Sequence, residues 1–247
     1  MRRRALVASS LLLVGAVAAE PVRVLSAGAL EPGLSAVLER WRSQGGGAVA
    51  VAFATVPRIT ERLAAGGEQP DLLLAPENLI ERLGRSGDLA AGPVVVGSVG
   101  VGIAVREGAP VPAIRDEASL REHLLAADTV VFNRASTGLY MERLLDRLGL
   151  AAAIEAKTLR FPDGDGVLRR IAAGSGREIA FAAATEIALF RGRGVRSVGP
   201  LPDGLQNRTS YAAGLLSGGG AEARRFLAFL GTDASRSAMA EAGVERP

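Results

Sequence analysis

The sequence predicts an α/β fold in which mainly parallel sheets are flanked by helices, and three observations carry that reading. A strand, turn, helix unit occurs three times in succession between Val22 and Leu83. Alternating strand and helix patterns resume between Leu120 and Val198. Between them lies Val94–Val105, VVVGSVGVGIAV, a β-branched run broken by glycines. That run suits two strands crossing between lobes, because glycine lets a chain bend where it leaves one sheet for another. Repeated strand-helix units give parallel sheets with helices on their faces.

The first unit, VRVLSAGALEPGLSAVL from Val22 to Leu38, is a short apolar strand, a Ser-Ala-Gly-Ala turn and a helix opening near Pro32. Leu30, Leu34, Val37, Leu38 and Trp41 recur at helical spacing and form one buried stripe. The glycine run Gly45–Gly47 ends that helix. A second strand, Ala48–Ala54, meets Thr55-Val56-Pro57-Arg58, where Pro57 suits a first helical turn, and the helix carries Ile59 and Leu63 before stopping at Gly66-Gly67. The third unit is a strand over Asp71–Ala75 and a helix from Pro76.

Leu120–Ala126 reads as a helix, Thr129–Phe132 as a strand, and NRASTGLY leads into a helix with Met141, Leu144, Leu145 and Leu148, capped by Gly149. Then come a helix over Asp165–Ala173, a strand over Glu178–Ala182, a helix over Thr185–Phe190 and a strand over Val195–Val198. From Tyr211 a strand runs to Leu216, followed by a Gly-rich loop and helices at Ala221–Leu230 and Ser235–Ala242. An ending in helices after a return strand brings the chain back to finish its first lobe.

An apolar fraction of 48% excludes general disorder, and 247 residues suffice for one large domain or two smaller ones. The net charge of +3 resides in Arg2, Arg3 and Arg4; the rest of the chain is balanced, which argues against nucleic acid as a partner. Residues 1–19 combine that basic start with an apolar run, Ala5–Val17, and small residues at Ala16, Ala18 and Ala19, the pattern of a secretory signal peptide. The run falls short of the roughly 20 residues a membrane span needs, so no stable membrane insertion is expected. With no cysteine, lipidation at the cut site, disulfides and Cys-ligated metals are excluded. The expectation is a soluble, monomeric periplasmic protein.

Candidate chemistry sits at the turns. Ala27, Gly28 and Ala29 end a strand and open a helix, so unpaired N–H groups and the positive end of the helix dipole can hold an anion. Thr55 and Arg58 lie in the second such turn: Thr55 as helix cap, ligand donor or both, Arg58 as a bidentate carboxylate grip or an exposed surface charge. Ser136, Thr137 and Gly138 open a later helix, and Gly138 would let backbone approach a ligand closely. Tyr140, one turn further in, either reaches the ligand or packs.

Glu186 follows a strand at a helix start, where an acid suits the dipole without any chemistry, and Asp165 in PDGDG reads as a helix cap before a ligand. Gln206 and Asn207 line the cleft or only shape it. His123 is expected to be solvated and has no second histidine or cysteine with which to hold a metal. No Gly-x-Ser-x-Gly elbow supports a hydrolase, and Gly100-Val101-Gly102 does not extend to a dinucleotide-binding fingerprint. No metal and no cofactor are expected.

With LSAGALEPGL, FATVPRITERLAAG followed by PDLLLA, STGLYMERLLDRLG, REIAFAAATEI and RRFLAFLGTDASRSAMAEAGV in place, the chain resembles type II periplasmic solute-binding proteins. It is most similar to the group around the molybdate-binding component of ABC importers. The resemblance implies two α/β lobes, residues 20–97 plus 200–247 and residues 98–199, with crossovers near Gly97 and Gly199. A small anionic solute would be held in the cleft between them, at the carboxyl ends of the strands, and passed to an ABC permease.

Molybdate binders of that group hold a bare oxyanion with hydroxyls and N–H groups. Here the first serine position is Ala29, the second-turn serines read Thr55, Val56 and Pro57, and a late tyrosine position falls at Ala183. The lost hydroxyls and the gain of Arg58 favour an organic carboxylate over molybdate or tungstate. The group also contains a periplasmic aconitate isomerase, and for that chemistry Glu186, Asp165 or Tyr140 would move the proton. Binding and catalysis both fit these residues.

Overall fold

A computed structural model describes residues 20–67 and 69–246, so the expected signal peptide at 1–19 lies outside the described residues. The first apolar strand, β1 (Val22–Ala27), runs through a 3-10 turn (Gly28–Leu30) into α1 (Glu31–Ser43). The helix thus opens one residue before Pro32, which needs no N–H at that position. β2 (Val49–Ala54), α2 (Val56–Ala64), β3 (Leu72–Pro76) and α3 (Glu77–Ser86) follow. β1 pairs in parallel with β2, from Val22 opposite Val49 to Ala27 opposite Ala54, and with β3 on its other side. The α1 stripe is buried as its spacing requires, and the Trp41 ring meets Phe226 and Phe229 at centroid distances of 5.3 and 5.2 Å.

The glycine-broken run forms one strand and not two. β4 spans Leu89–Arg106, 18 residues. Positive φ at Gly97 and shifts of register absorb the bend within the strand. The chain continues as α4 (Glu117–Ala126), β5 (Thr129–Asn133), α5 (Ser136–Arg147), α6 (Ala151–Ile154), β6 (Thr158–Phe161), α7 (Gly164–Ala172), β7 (Glu178–Ala183), α8 (Ala184–Leu189), β8 (Val195–Pro200), β9 (Arg208–Leu216), α9 (Ala221–Leu230) and α10 (Asp233–Glu241). α6 and β6, at four residues each, are too short to leave a periodic signal and were not expected from the sequence.

The strand order is β2-β1-β3-β9-β4-β7-β5-β6, with β8 also on β4. Pairing is parallel in β1/β2, β1/β3, β5/β6 and β5/β7, and antiparallel wherever β4 or β9 takes part. β4 is therefore common to two halves of the sheet: its last partner in β9 is Arg208, opposite Gly100, and its first in β7 is Ala183, opposite Val101. Each half has its own core, Leu34, Trp41, Leu72 and Phe226 in one and Leu120, Phe132, Leu144 and Phe181 in the other. A β-bridge from Glu245 to Ser98 ties the last described residues to the middle of β4.

Candidate functional site

Where the two halves meet, the ends of β1, β2, β5, β6 and β7 and the first turns of the helices after them line a single cleft of about 540 Å³. The geometry follows from strand-turn-helix order, because each helix starts beside the carboxyl end of the strand before it. α1, α2, α5 and α7, each nine residues or longer, begin at this cleft. Their first-turn N–H groups lack intrahelical partners, so their positive ends sum there.

Of the residues singled out from the sequence, Ala27, Gly28, Ala29, Thr55, Arg58, Ser136, Thr137, Asp165 and Glu186 line the cleft together. Thr55 stands at the cap position of α2, but its hydroxyl makes no capping bond. Arg58 is at the rim, with its side chain 75% exposed and its Nη1 donating to Glu61 at 3.0 Å. The cap of α7 is Asp163, not Asp165: the Asp163 carboxylate accepts from Gly166 N–H at 2.8 Å. Asp165 lies in the first turn and accepts from Arg169 at 2.6 Å.

Gly138 and Tyr140 fall outside the cleft lining. Gly138 donates its N–H to Asn133 Oδ1 at 3.0 Å, and a Cβ there would lie 1.5 Å from the Asn133 carbonyl oxygen. Its small size serves the docking of α5 on β5 and not the approach of a ligand. Tyr140 donates to the Leu205 carbonyl at 2.6 Å and packs on the second core. Gln206 also has a structural role: its Oε1 accepts from Val101 N–H at 2.8 Å and its Nε2 donates to the Val101 carbonyl at 3.0 Å. Asn207 lines a second hollow, bounded by Pro76, Leu139 and Arg143. His123 borders an apolar hollow beside Val111, away from the cleft.

The structure adds residues that sequence reasoning missed: Glu31, Glu61, Arg62, Asn133, Asp163, Gly164 and Tyr211. Tyr211 was visible as one of two tyrosines in the chain, sitting at the head of the return strand. A strand phenol that is buried needs a polar partner, which is a signal of its own. Five lining residues are carboxylates, Glu31, Glu61, Asp163, Asp165 and Glu186, against the guanidiniums of Arg58 and Arg62.

Glu186 is the most perturbed of these. Burial, with the nearby Asp163, Glu31 and Asp165 acting in the same direction and a hydrogen bond from Ala183 N–H opposing them, pushes its carboxyl up to about 7. Burial and the adjacent Glu186 also lift the Tyr211 phenol above its ordinary range, so it stays protonated. A carboxyl that titrates near neutrality in a cleft is suited to taking and returning a proton. Among the described residues no group of three or more acids and histidines is arranged to hold a metal ion, and no helix is long and apolar enough to cross a membrane.

Comparison with known proteins gives a consistent picture. Over 202 residues, 80% of this chain and 76% of the other, the sequence is 27% identical to an aconitate isomerase of Pseudomonas sp. The fold is similar to the periplasmic molybdate-binding protein of Azotobacter vinelandii, with a TM-score of 0.74 at 16% identity over 92% of this chain and 99% of that one. It is similar also to L-phospholactate-bound PEB3, a Campylobacter jejuni protein, with a TM-score of 0.67 at 13% identity, covering 92% of this chain and 100% of that one. A family model described as bacterial extracellular solute-binding protein matches residues 22–245, and the chain belongs to that family.

Proposed function

We propose that this protein captures a small organic carboxylate in the cleft and presents it to an ABC permease from the periplasm, after export through the leader at residues 1–19. The observation that carries the reading is the convergence of four helix starts, from both halves of the sheet, on one cleft with two arginines at its edge. Backbone N–H groups supply donors without a fixed counter-charge, and Arg58 and Arg62 add planar donors that match a carboxylate. Residues 20–97 with 200–247 and residues 98–199 act as two lobes that close on the solute, expel water and form the shape a transporter reads.

A melting panel tests this. The protein is heated with citrate, cis-aconitate, trans-aconitate, molybdate or tungstate. A solute at about 100 times its dissociation constant adds roughly 2.7 kcal/mol of stability. The expected result is a shift with a carboxylate; a shift with molybdate or tungstate alone, which the hydroxyls of Thr55, Ser136, Thr137 and Tyr211 would serve, overturns the carboxylate reading.

One observation favours a second reading, isomerisation of a tricarboxylate in the same cleft. Glu186, near neutrality, lies in the cleft of a chain similar to an aconitate isomerase. In that reaction Glu186 takes an allylic proton from one carbon and returns it to another while the arginines and N–H groups hold the carboxylates. Proton NMR of trans-aconitate with the protein follows growth of the cis isomer, and an unchanged spectrum removes the enzyme reading while leaving the binding one.

A further inference from the structure

The position of Glu186 at the floor of the cleft bears on how an anion can enter at all. α8 packs across the junction onto the 3-10 turn and α1, and there the buried Thr185 hydroxyl donates to the Ala29 carbonyl at 2.6 Å. The next side chain, Glu186, is wedged between a glycine from each half. A Cβ on Gly28 would lie 3.4 Å from one carboxylate oxygen, and a Cβ on Gly164 would lie 2.0 Å from the other. Oε2 accepts one hydrogen bond, from Ala183 N–H at 3.3 Å.

The charged groups around this carboxyl are almost all of its own sign. Glu31 faces it from α1 and Asp163 and Asp165 from the start of α7, while the neighbouring Tyr211 phenol of β9 is uncharged. None of the cations on neighbouring elements is bonded to it among the described residues. Arg169 and Arg170 of α7 bind Asp165 and Glu178, Arg106 of β4 binds the Glu107 carbonyl, and Arg196 of β8 borders a separate hollow beside Ile187 and Ala188. Of the two arginines at the cleft edge, Arg58 is paired with Glu61, and Arg62 makes no bond to Glu186. A solute bearing two or three negative charges would therefore meet an ionised carboxylate at the cleft floor with no cation bonded to it among the described residues.

We propose that a polycarboxylate enters this cleft together with one proton from solvent, which resides on Glu186 and makes that oxygen a hydrogen-bond donor to a carboxylate of the solute. Glu186 is thereby a specificity-determining residue: in its acid form it accepts carboxylates, and in its ionised form it repels them. Uptake of the proton removes one negative charge from the floor as the solute brings its own. The inference rests on the carboxylate-binding reading above and not on the isomerase reading, in which Glu186 must be ionised to take a proton.

The test is isothermal titration calorimetry of trans-aconitate into the purified protein at about pH 8, where the solute's carboxyls are already ionised, in buffers of different ionisation enthalpy. The buffer dependence of the heat counts protons. The expected count is close to one proton taken up per solute bound, with affinity weakening about tenfold per pH unit above neutrality. E186Q, whose amide still donates, is expected to bind with no proton uptake and a flat pH profile. Binding by the wild type without proton uptake overturns this inference and leaves the proposed function standing, as does uptake that persists undiminished in E186Q. If neither trans-aconitate nor citrate binds at any pH, the carboxylate reading and this inference fall together.

Discussion

At the scale of single residues, exposure decides what a substitution can report. Arg58 projects from the cleft edge with an ion pair only to its i+3 neighbour, and exposed pairs of that kind contribute little to stability. Arg58→Ala is therefore expected to leave the melting temperature within error while weakening carboxylate binding by about 1.5 kcal/mol or more, measured by calorimetry. Glu186 behaves in the opposite way. It holds its proton up to about 7 in the folded chain against about 4.3 when unfolded, so the folded state binds more protons across that interval and stability falls as pH rises through it. Glu186→Gln is expected to abolish that fall, leaving the solute-free variant more stable than wild type at about pH 8 by at most about 4 kcal/mol. Urea denaturation across pH checks it; parallel curves for the two proteins would show Glu186 to be ionised. Ala27, Gly28, Ala29, Thr55, Ser136 and Thr137 were legible because strand-turn-helix order alone fixes where they fall. The charge state of Glu186 was not, since it follows from burial and from Asp163 and Glu31, which only tertiary structure brings to it from distant parts of the chain.

At the scale of elements, the start of α5 shows how one helical turn separates solute-facing from core-facing residues. Gly138, rotated by about 200° from Ser136, faces Asn133 on the opposite side of the helix, whereas Tyr140 shares the Ser136 face but lies one turn further from the cleft, where it reaches the Leu205 carbonyl. The STGLY motif marked the helix start correctly and could not mark the faces, because its apolar Leu139 is exposed while the small Gly138 is the buried residue. Gly138→Ala forces a methyl into the Asn133 carbonyl and is expected to destabilise by about 3 kcal/mol in urea unfolding, whereas Thr137→Ala leaves stability nearly unchanged. Retained stability in Gly138→Ala would mean that α5 can slide away from β5. Apart from β4, helices and strands longer than five residues were legible from periodicity, and boundaries such as Ala221–Leu230 agree with the structure. The crossing run misled for a physical reason: glycines that break a pattern in sequence can equally be bulges inside one strand.

At the scale of the whole molecule, β4 runs through the junction and β9 begins beside it, so the halves share a hydrogen-bonded strand and not a loose linker. Under the proposed function, closure on a solute is then a bend in the sheet. Solution scattering is expected to show a smaller radius of gyration when saturating trans-aconitate is added, and an unchanged radius would show that the cleft is already shut without solute. The fold class was legible here because alternation constrains layers. The continuity of β4 across both layers was not, since hydrogen-bond register has no signature in composition.

The bridge between Ser98 and Glu245 adds a mechanical detail. Glu245 exchanges two backbone bonds with Ser98, at 2.9 and 2.8 Å, and its carboxylate takes a 2.6 Å bond from Arg208, so one short segment grips both strands at the fold line. That segment works as a strap across a leaf spring. Cutting it would soften the flexure without touching the solute's contacts, and a purification handle fused just beyond residue 246 would load the same spring.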